Sequence, residues 1–195
     1  MNTLKLKKRI VLTGGPGGGK TTALDLFRRE LSGKIASVPE SATMIFSGGV
    51  ERSTKAEVIR SQQIAIFNLQ KNLEYAVRTM YPERLILCDR GSLDGLAYWP
   101  GSQADFFTTM DSTFEYELSR YDAVIFFETA AKSGQGIKSN NLVRNESDKQ
   151  AIELDKKLYD IWSQHHNFNP IASSESFIKK IMMGIHTIEE VIQQI

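Results

Sequence analysis

Cysteine is almost absent from this chain, and so is any excess of charge. The one cysteine in 195 residues, Cys88, excludes an intramolecular disulfide framework and suits a reducing, cytoplasmic compartment. Against 24 Lys and Arg stand 23 Asp and Glu, and the resulting net charge of +1 offers no general field for nucleic acid or another polyanion. Long apolar runs are lacking too. Met1 to Arg9 carries Lys5, Lys7, Lys8 and Arg9, but only Ile10 to Leu12 follows, which is no signal-peptide core. No later run reaches the roughly 18 apolar residues of a membrane span. His165, His166 and His186 have no Cys partners at metal spacing, so no zinc site is assigned. There is no internal repeat and no low-complexity segment.

What is present is glycine in one place. Gly14-Gly15-Pro16-Gly17-Gly18-Gly19-Lys20-Thr21-Thr22 follows a short apolar strand and precedes an amphipathic helix, so Gly14-x-x-x-x-Gly19-Lys20-Thr21 fits the P-loop pattern in its expected context. Glycines let the backbone fold tightly round a triphosphate, and successive N–H groups then point with the helix N-terminus at one anion. Lys20 reaches the β- and γ-phosphates in this reading, and the Thr21 hydroxyl is placed to coordinate Mg²⁺. ATP and Mg²⁺ are the expected cofactors.

Strands and helices alternate along the rest. Lys8 to Thr13 reads as a strand, Lys20 to Leu31 as a helix, Ile35 to Val38 as a strand, and Ser41 to Ser53 as a mixed, loop-like segment. Ile59 to Met80 lies on one face of a long helix, Leu85 to Cys88 forms a strand, and a short helix covers Leu93 to Tyr98. A single helix is expected over Ala104 to Arg120. Ala123 to Phe127 is continuously apolar, as a buried parallel strand should be. Gly, Ser, Asn and Lys dominate Thr129 to Glu146, which reads as a lid-like insert. Ala151 to Trp162 gives a helical stripe, Phe168 to Ala172 a last strand, and Ile178 to Ile195 a final helix that Gly184 is expected to divide. Its isoleucine stripe reads as core; under three heptads it leaves a homodimer open. The pattern implies one domain over 1–195, a three-layer α/β/α sandwich on a five-stranded parallel sheet with right-handed crossovers.

In such sheets ligands bind beyond the carboxyl ends of the strands, so strand endings mark the site. Asp89 closes the third strand as a Walker B candidate for Mg²⁺; the alternative is a helix-capping aspartate. Arg90 offers a planar fork to a phosphate or to the transferring phosphoryl group. Glu40, after the second strand, is a candidate general base for a substrate hydroxyl or a substrate anchor. Glu128 ends the fourth strand. Arg144, late in the insert, is a candidate lid arginine acting on charge that develops in the transition state. Cys88 is expected to pack within its strand, and Phe106, Phe107, Phe114 and Tyr116 to serve the core and helix faces.

The P-loop together with Val38-Pro39-Glu40-Ser41-Ala42, Asp89-Arg90-Gly91-Ser92-Leu93-Asp94-Gly95-Leu96-Ala97-Tyr98 and Val143-Arg144-Asn145-Glu146 resembles the NadR-like AAA-type P-loop family. More distantly it is similar to thymidylate kinase and the deoxynucleoside kinases, where an acid–arginine pair follows the third strand and an acidic residue the second. The resemblance implies a P-loop NTPase fold of the nucleoside and nucleotide kinase type, and it brings Asp94 and Tyr98 into the site region. It does not name the phosphoryl acceptor, since the fold hosts several chemistries.

Two functions follow as expectations. One is a Mg²⁺-dependent small-molecule kinase moving the ATP γ-phosphoryl group to a nucleoside, nucleotide or related metabolite. The other is a regulatory ATP- or GTP-binding switch whose loops order round the γ-phosphate for a protein or lipid partner. No Asn-Lys-x-Asp signature supports a Ras-type GTPase, the chain has no room for the helical lid domain of a hexameric AAA+ motor, and DNA binding has no compositional support.

Overall fold

The computed structural model describes residues 8–31, 33–133, 148–174 and 176–194. Five strands form one sheet: β1 (Arg9–Thr13), β2 (Ile35–Val38), β3 (Leu85–Asp89), β4 (Ala123–Phe127) and β5 (Phe168–Ile171). Their order is β2-β3-β1-β4-β5, and every pairing is parallel. Between them run α1 (Lys20–Glu30), α2 (Ser41–Ser47), α3 (Ala56–Met80), α4 (Gln103–Met110), α5 (Phe114–Ser119), α6 (Asp148–Trp162) and α7 (Phe177–Gln194). Short 3-10 turns occupy Ser92–Tyr98 and Ala130–Ser133.

Side chains alternate across a strand, so a sheet covered on both faces needs apolar residues at every position. Val11, Cys88, Val124 and Phe126 face one layer, where they meet Phe67 and Val77 of α3 and Leu154, Leu158 and Trp162 of α6. Ile10, Leu12, Leu87, Ile125 and Phe127 face the other, against Leu24 and Phe27 of α1 and Ile181, Ile185 and Ile188 of α7. Each fully buried Val, Leu, Ile or Phe contributes about 1.5–3 kcal/mol, and the two layers together hold the strand ends in register. Leu12 lies opposite Asp89 on one side and Ile125 on the other.

Three expectations change. The helix expected over Ala104 to Arg120 is two, because Asp111 turns into the left-handed region at φ 47°. Each piece has its own cap: Ser102 Oγ accepts from the Asp105 N–H and Thr113 Oγ1 from the Tyr116 N–H. Gly184 does not divide α7. A Cβ there would stand 2.6 Å from the Phe127 ring, so the glycine serves close packing of helix on sheet. Finally, the segment after Glu40 opens with a real helix, α2, before becoming irregular at Gly48. No described helix is long and apolar enough to cross a membrane.

Candidate active site

The loop from Gly14 to Gly19 leaves the end of β1 and feeds α1. Gly14 sits at φ 122°, and a Cβ on it would lie 2.1 Å from the Phe127 carbonyl oxygen, so both conformation and space demand glycine there. Pro16 lies between it and Gly17, and Gly18 follows. Lys20 is 3% exposed, and its Nζ donates to the carbonyls of Gly14 at 2.9 Å and Gly15 at 2.7 Å, which folds the ammonium back over the loop. Thr21 and Thr22 occupy the first turn of α1, where free N–H groups and the helix dipole favour an anion.

Asp89 is no helix cap. Thr21 Oγ1 donates to its Oδ2 at 2.9 Å across the sheet edge, while Oδ1 is buried with no hydrogen-bond partner among the described residues. A buried carboxylate oxygen left open beside a threonine hydroxyl at a phosphate-binding loop is a fitting donor set for Mg²⁺, which takes one or two protein oxygens and completes its shell with phosphates and water. No described cluster of three or more His, Cys, Asp or Glu would hold a metal by itself. Burial, and then the charge of Glu40, raise the Asp89 pKa; Lys20 and Arg90 pull it the other way.

Arg90 adopts φ 71°, a conformation that costs a non-glycine residue about 1–3 kcal/mol. Its backbone is held from both ends: the N–H donates to Leu12 O at 2.9 Å, and the carbonyl accepts from Gln70 Nε2 at 3.1 Å. The strained turn aims the guanidinium back over the loop. Nε donates to Glu40 Oε1, and Nη1 donates to Asp94 Oδ2 at 2.8 Å and to Gly14 O at 3.2 Å. Burial by itself would lower the Arg90 pKa, but Tyr98, Glu40 and Asp94 outweigh it and keep the cation charged. Gly91 lets the chain pass Trp162, whose ring would stand 2.8 Å from a Cβ at that position.

Asp94 is fully engaged. Thr13 Oγ1 donates to both of its oxygens, Trp162 Nε1 donates to Oδ1 at 2.8 Å, and Arg90 completes the set. Glu40 accepts from Arg90 Nε and from Thr43 Oγ1. A cleft of about 560 Å³, counting its part open to solvent, lies against this triad, with Pro16 of the loop, Phe46, Gln63 and Tyr98 among its walls.

The structure thus brings Lys20, Thr21, Asp89, Arg90, Glu40, Asp94 and Tyr98 to one sheet edge. Glu128 turns away, with its carboxylate on the Ser173 N–H beyond β5. Arg144 lies outside the described residues, as does the insert from 134 to 146. Of the residues given to that insert, the structure describes the first five: Thr129 is fully buried and Ala130–Ser133 forms a 3-10 turn.

Asp155 was missed. On α6 it is fully buried, and its Oδ1 accepts from the Gly15 N–H at 2.8 Å and the Thr129 N–H at 2.9 Å, while Thr129 Oγ1 donates to Pro16 O at 2.7 Å. This ties the P-loop to α6. A signal existed, because Asp155 interrupts the stripe of Ala151, Leu154, Leu158 and Trp162 on the face that packs inward.

Comparison with solved structures sets this geometry in context. A deoxyadenosine kinase from M. mycoides with bound dATP superposes with a TM-score of 0.62 at 16% identity, over 93% of this chain and 99% of that one. Thymidylate kinase from Ehrlichia chaffeensis gives 0.65 at 14% identity, over 96% and 99%. At such identities the likeness shows a shared fold. A search of curated proteins gives no match. The family model AAA_28, described as an AAA domain, matches residues 9–177, which span every strand and the whole of the site above, and the chain belongs to that family of P-loop AAA domains.

Proposed function

We propose that this protein is an ATP-dependent small-molecule kinase that transfers the γ-phosphoryl group to a hydroxyl of a nucleoside, nucleotide or related metabolite. The observation that carries the reading is the cleft at Pro16: a partly apolar pocket opens directly against the phosphate-binding loop, with Glu40, Arg90 and Asp94 on its wall. A nucleotide switch has no need of such a pocket. An acceptor seated there has its hydroxyl next to the phosphate, and positioning of that kind lowers the barrier to phosphoryl transfer.

The roles follow from the contacts. The loop N–H groups and Lys20 hold the phosphates, with Lys20 exchanging the Gly14 and Gly15 carbonyls for phosphate oxygens. Thr21 and Asp89 would hold Mg²⁺, which neutralises phosphate charge when bound. Glu40, on the wall of the cleft, accepts the proton of the acceptor hydroxyl, while Asp94, engaged by Thr13, Trp162 and Arg90, positions the guanidinium. Arg90 sits between loop and acceptor and stabilises charge on the transferring group.

The test is purified protein with MgATP and a panel of nucleosides, nucleotides and nicotinamide riboside. Acceptor-dependent ADP release is expected for at least one class. Slow hydrolysis indifferent to every acceptor, together with nucleotide-dependent capture of a protein partner, would replace the kinase reading with the switch.

A further inference from the structure

At the opposite edge of the sheet, about 13 Å from the P-loop along the five residues of β1, lies an open groove rimmed by charged side chains. It measures about 820 Å³ with its open part, and six residues line it: Arg9, Lys71, Tyr75, Arg78, Tyr116 and Arg120. Four cations on one small surface stand out in a chain whose net charge is +1.

The carboxylates that would neutralise them lie beneath, not in the cavity. Glu74 and Glu117 are fully buried: Glu74 takes Arg9 Nη1 at 2.9 Å and Arg120 Nη2 at 2.6 Å, and Glu117 takes Arg120 Nη1 at 2.6 Å and Lys71 Nζ at 3.3 Å. Glu74 is further claimed by the Tyr121 hydroxyl and the Gln70 amide. Two carboxylates against four cations leave an excess of two positive charges, and the rim pair of Lys8 and Asp122 at 3.8 Å leaves that excess unchanged. Buried guanidinium nitrogens also go unanswered. Arg78 Nη1 and Arg9 Nε have no hydrogen-bond partner among the described residues, although a buried charged donor without an acceptor is costly. Burial, and then the charge of Arg9, make the Arg78 cation less favourable than usual, so an anion there would relieve two like charges at once.

The walls narrow the class. Tyr75 and Tyr116 are 72% and 56% exposed, and they offer aromatic faces with Lys71 Nζ 5.7 Å from the Tyr116 ring. A phosphate monoester carries about two negative charges and three acceptor oxygens, which matches both the excess charge and the unpartnered guanidinium nitrogens. We infer that this cavity is a second anion site, distinct from the nucleotide site, that binds the phosphate group of a small phosphorylated metabolite between Arg78 and Lys71.

The inference is tested by calorimetric titration of inorganic pyrophosphate into protein whose P-loop is saturated with Mg²⁺ and a non-hydrolysable ATP analogue. One equivalent is expected to bind in the micromolar to millimolar range, more weakly as salt rises. Arg78→Gln should weaken binding at least tenfold with an unchanged melting temperature. Lys71→Gln, at a side chain 32% exposed, should do the same and carries the test if the arginine variant folds poorly. The inference is overturned by no pyrophosphate binding up to about 10 mM, or by binding that neither substitution changes. Because the nucleotide site stays filled throughout, failure here leaves the kinase reading untouched.

Discussion

Asp155→Ala is the sharpest perturbation the structure offers, because it touches the P-loop from behind. The side chain is fully buried, and one oxygen accepts both the Gly15 and the Thr129 N–H, at 2.8 and 2.9 Å. Each hydrogen bond to a charged acceptor contributes about 1.5–3 kcal/mol, so truncation should cost about 3–6 kcal/mol. For a chain of this size the lower end is already a fall in Tm of roughly 6–12 °C. Asp155→Asn keeps an acceptor oxygen but loses the charge, so about half the loss should remain. Urea unfolding of the three proteins, extrapolated linearly, gives the stabilities; titration with MgATP gives the affinities. The loop is held before nucleotide arrives, so ATP affinity should fall in the same order as stability. A loss below about 0.5 kcal/mol in Asp155→Ala, the scale of an ordinary surface substitution, would refute the idea that α6 holds the loop.

Lys20→Ala should abolish ATP turnover with circular dichroism and Tm near those of the parent; unchanged turnover would remove the P-loop from the chemistry. Glu40→Gln should lower kcat by about 10²–10⁴-fold if the carboxylate takes the acceptor proton, and a change confined to acceptor KM would make it an anchor instead. Since burial raises the Asp89 pKa, this carboxyl should contribute an increment of stability to the metal-free protein that is fully present below the ordinary aspartate value of 3.8 and is lost as pH rises through the raised value, a contribution that Asp89→Asn should remove from the pH dependence of unfolding. Mg²⁺ competes for the ionised form, so its affinity should begin to fall on acidification at a higher pH than an unperturbed aspartate would give, as titration calorimetry at stepped pH would show. Arg144→Ala should lower kcat more than nucleotide affinity, and equal values for both in parent and variant would end its assignment to the transition state.

The central strands and the P-loop were legible because they rest on local rules. Ile10 to Leu12 and Ala123 to Phe127 must be apolar at every position when both faces are covered, and Gly14 must be glycine for its φ and its closeness to Phe127. The strand-end rule then brought Asp89, Arg90 and Glu40 to one edge. What escaped depends on contacts distant in sequence. Gly15 meets Asp155 at a separation of 140 residues, and Thr13 meets Asp94 at 81, so no window along the chain contains either pair. Asp94 entered only through a family resemblance, and Asp155 only through the structure. The divided helix at Asp111 failed for a different reason: the apolar period continues across the break, and only the caps at Ser102 and Thr113 mark two helices.

The strain at Arg90 is held by its surroundings. A residue stays at φ 71° only where the structure around it over-determines its position, and here Leu12 and Gln70 fix the backbone while Glu40, Asp94 and Gly14 fix the guanidinium. Gln70 is itself locked, donating to Glu74 Oε1 and accepting from Ser41 Oγ at the start of α2, beside Glu40. Glu40 and the arginine therefore hang from one hydrogen-bonded frame built on α2, α3 and β3. Electrostatic stabilisation is strongest when the dipoles and charges need not reorganise during reaction. The left-handed turn is the local cost of that rigidity, and a lysine at position 90, without the fork that joins Glu40 to Asp94, would keep the charge and lose the alignment.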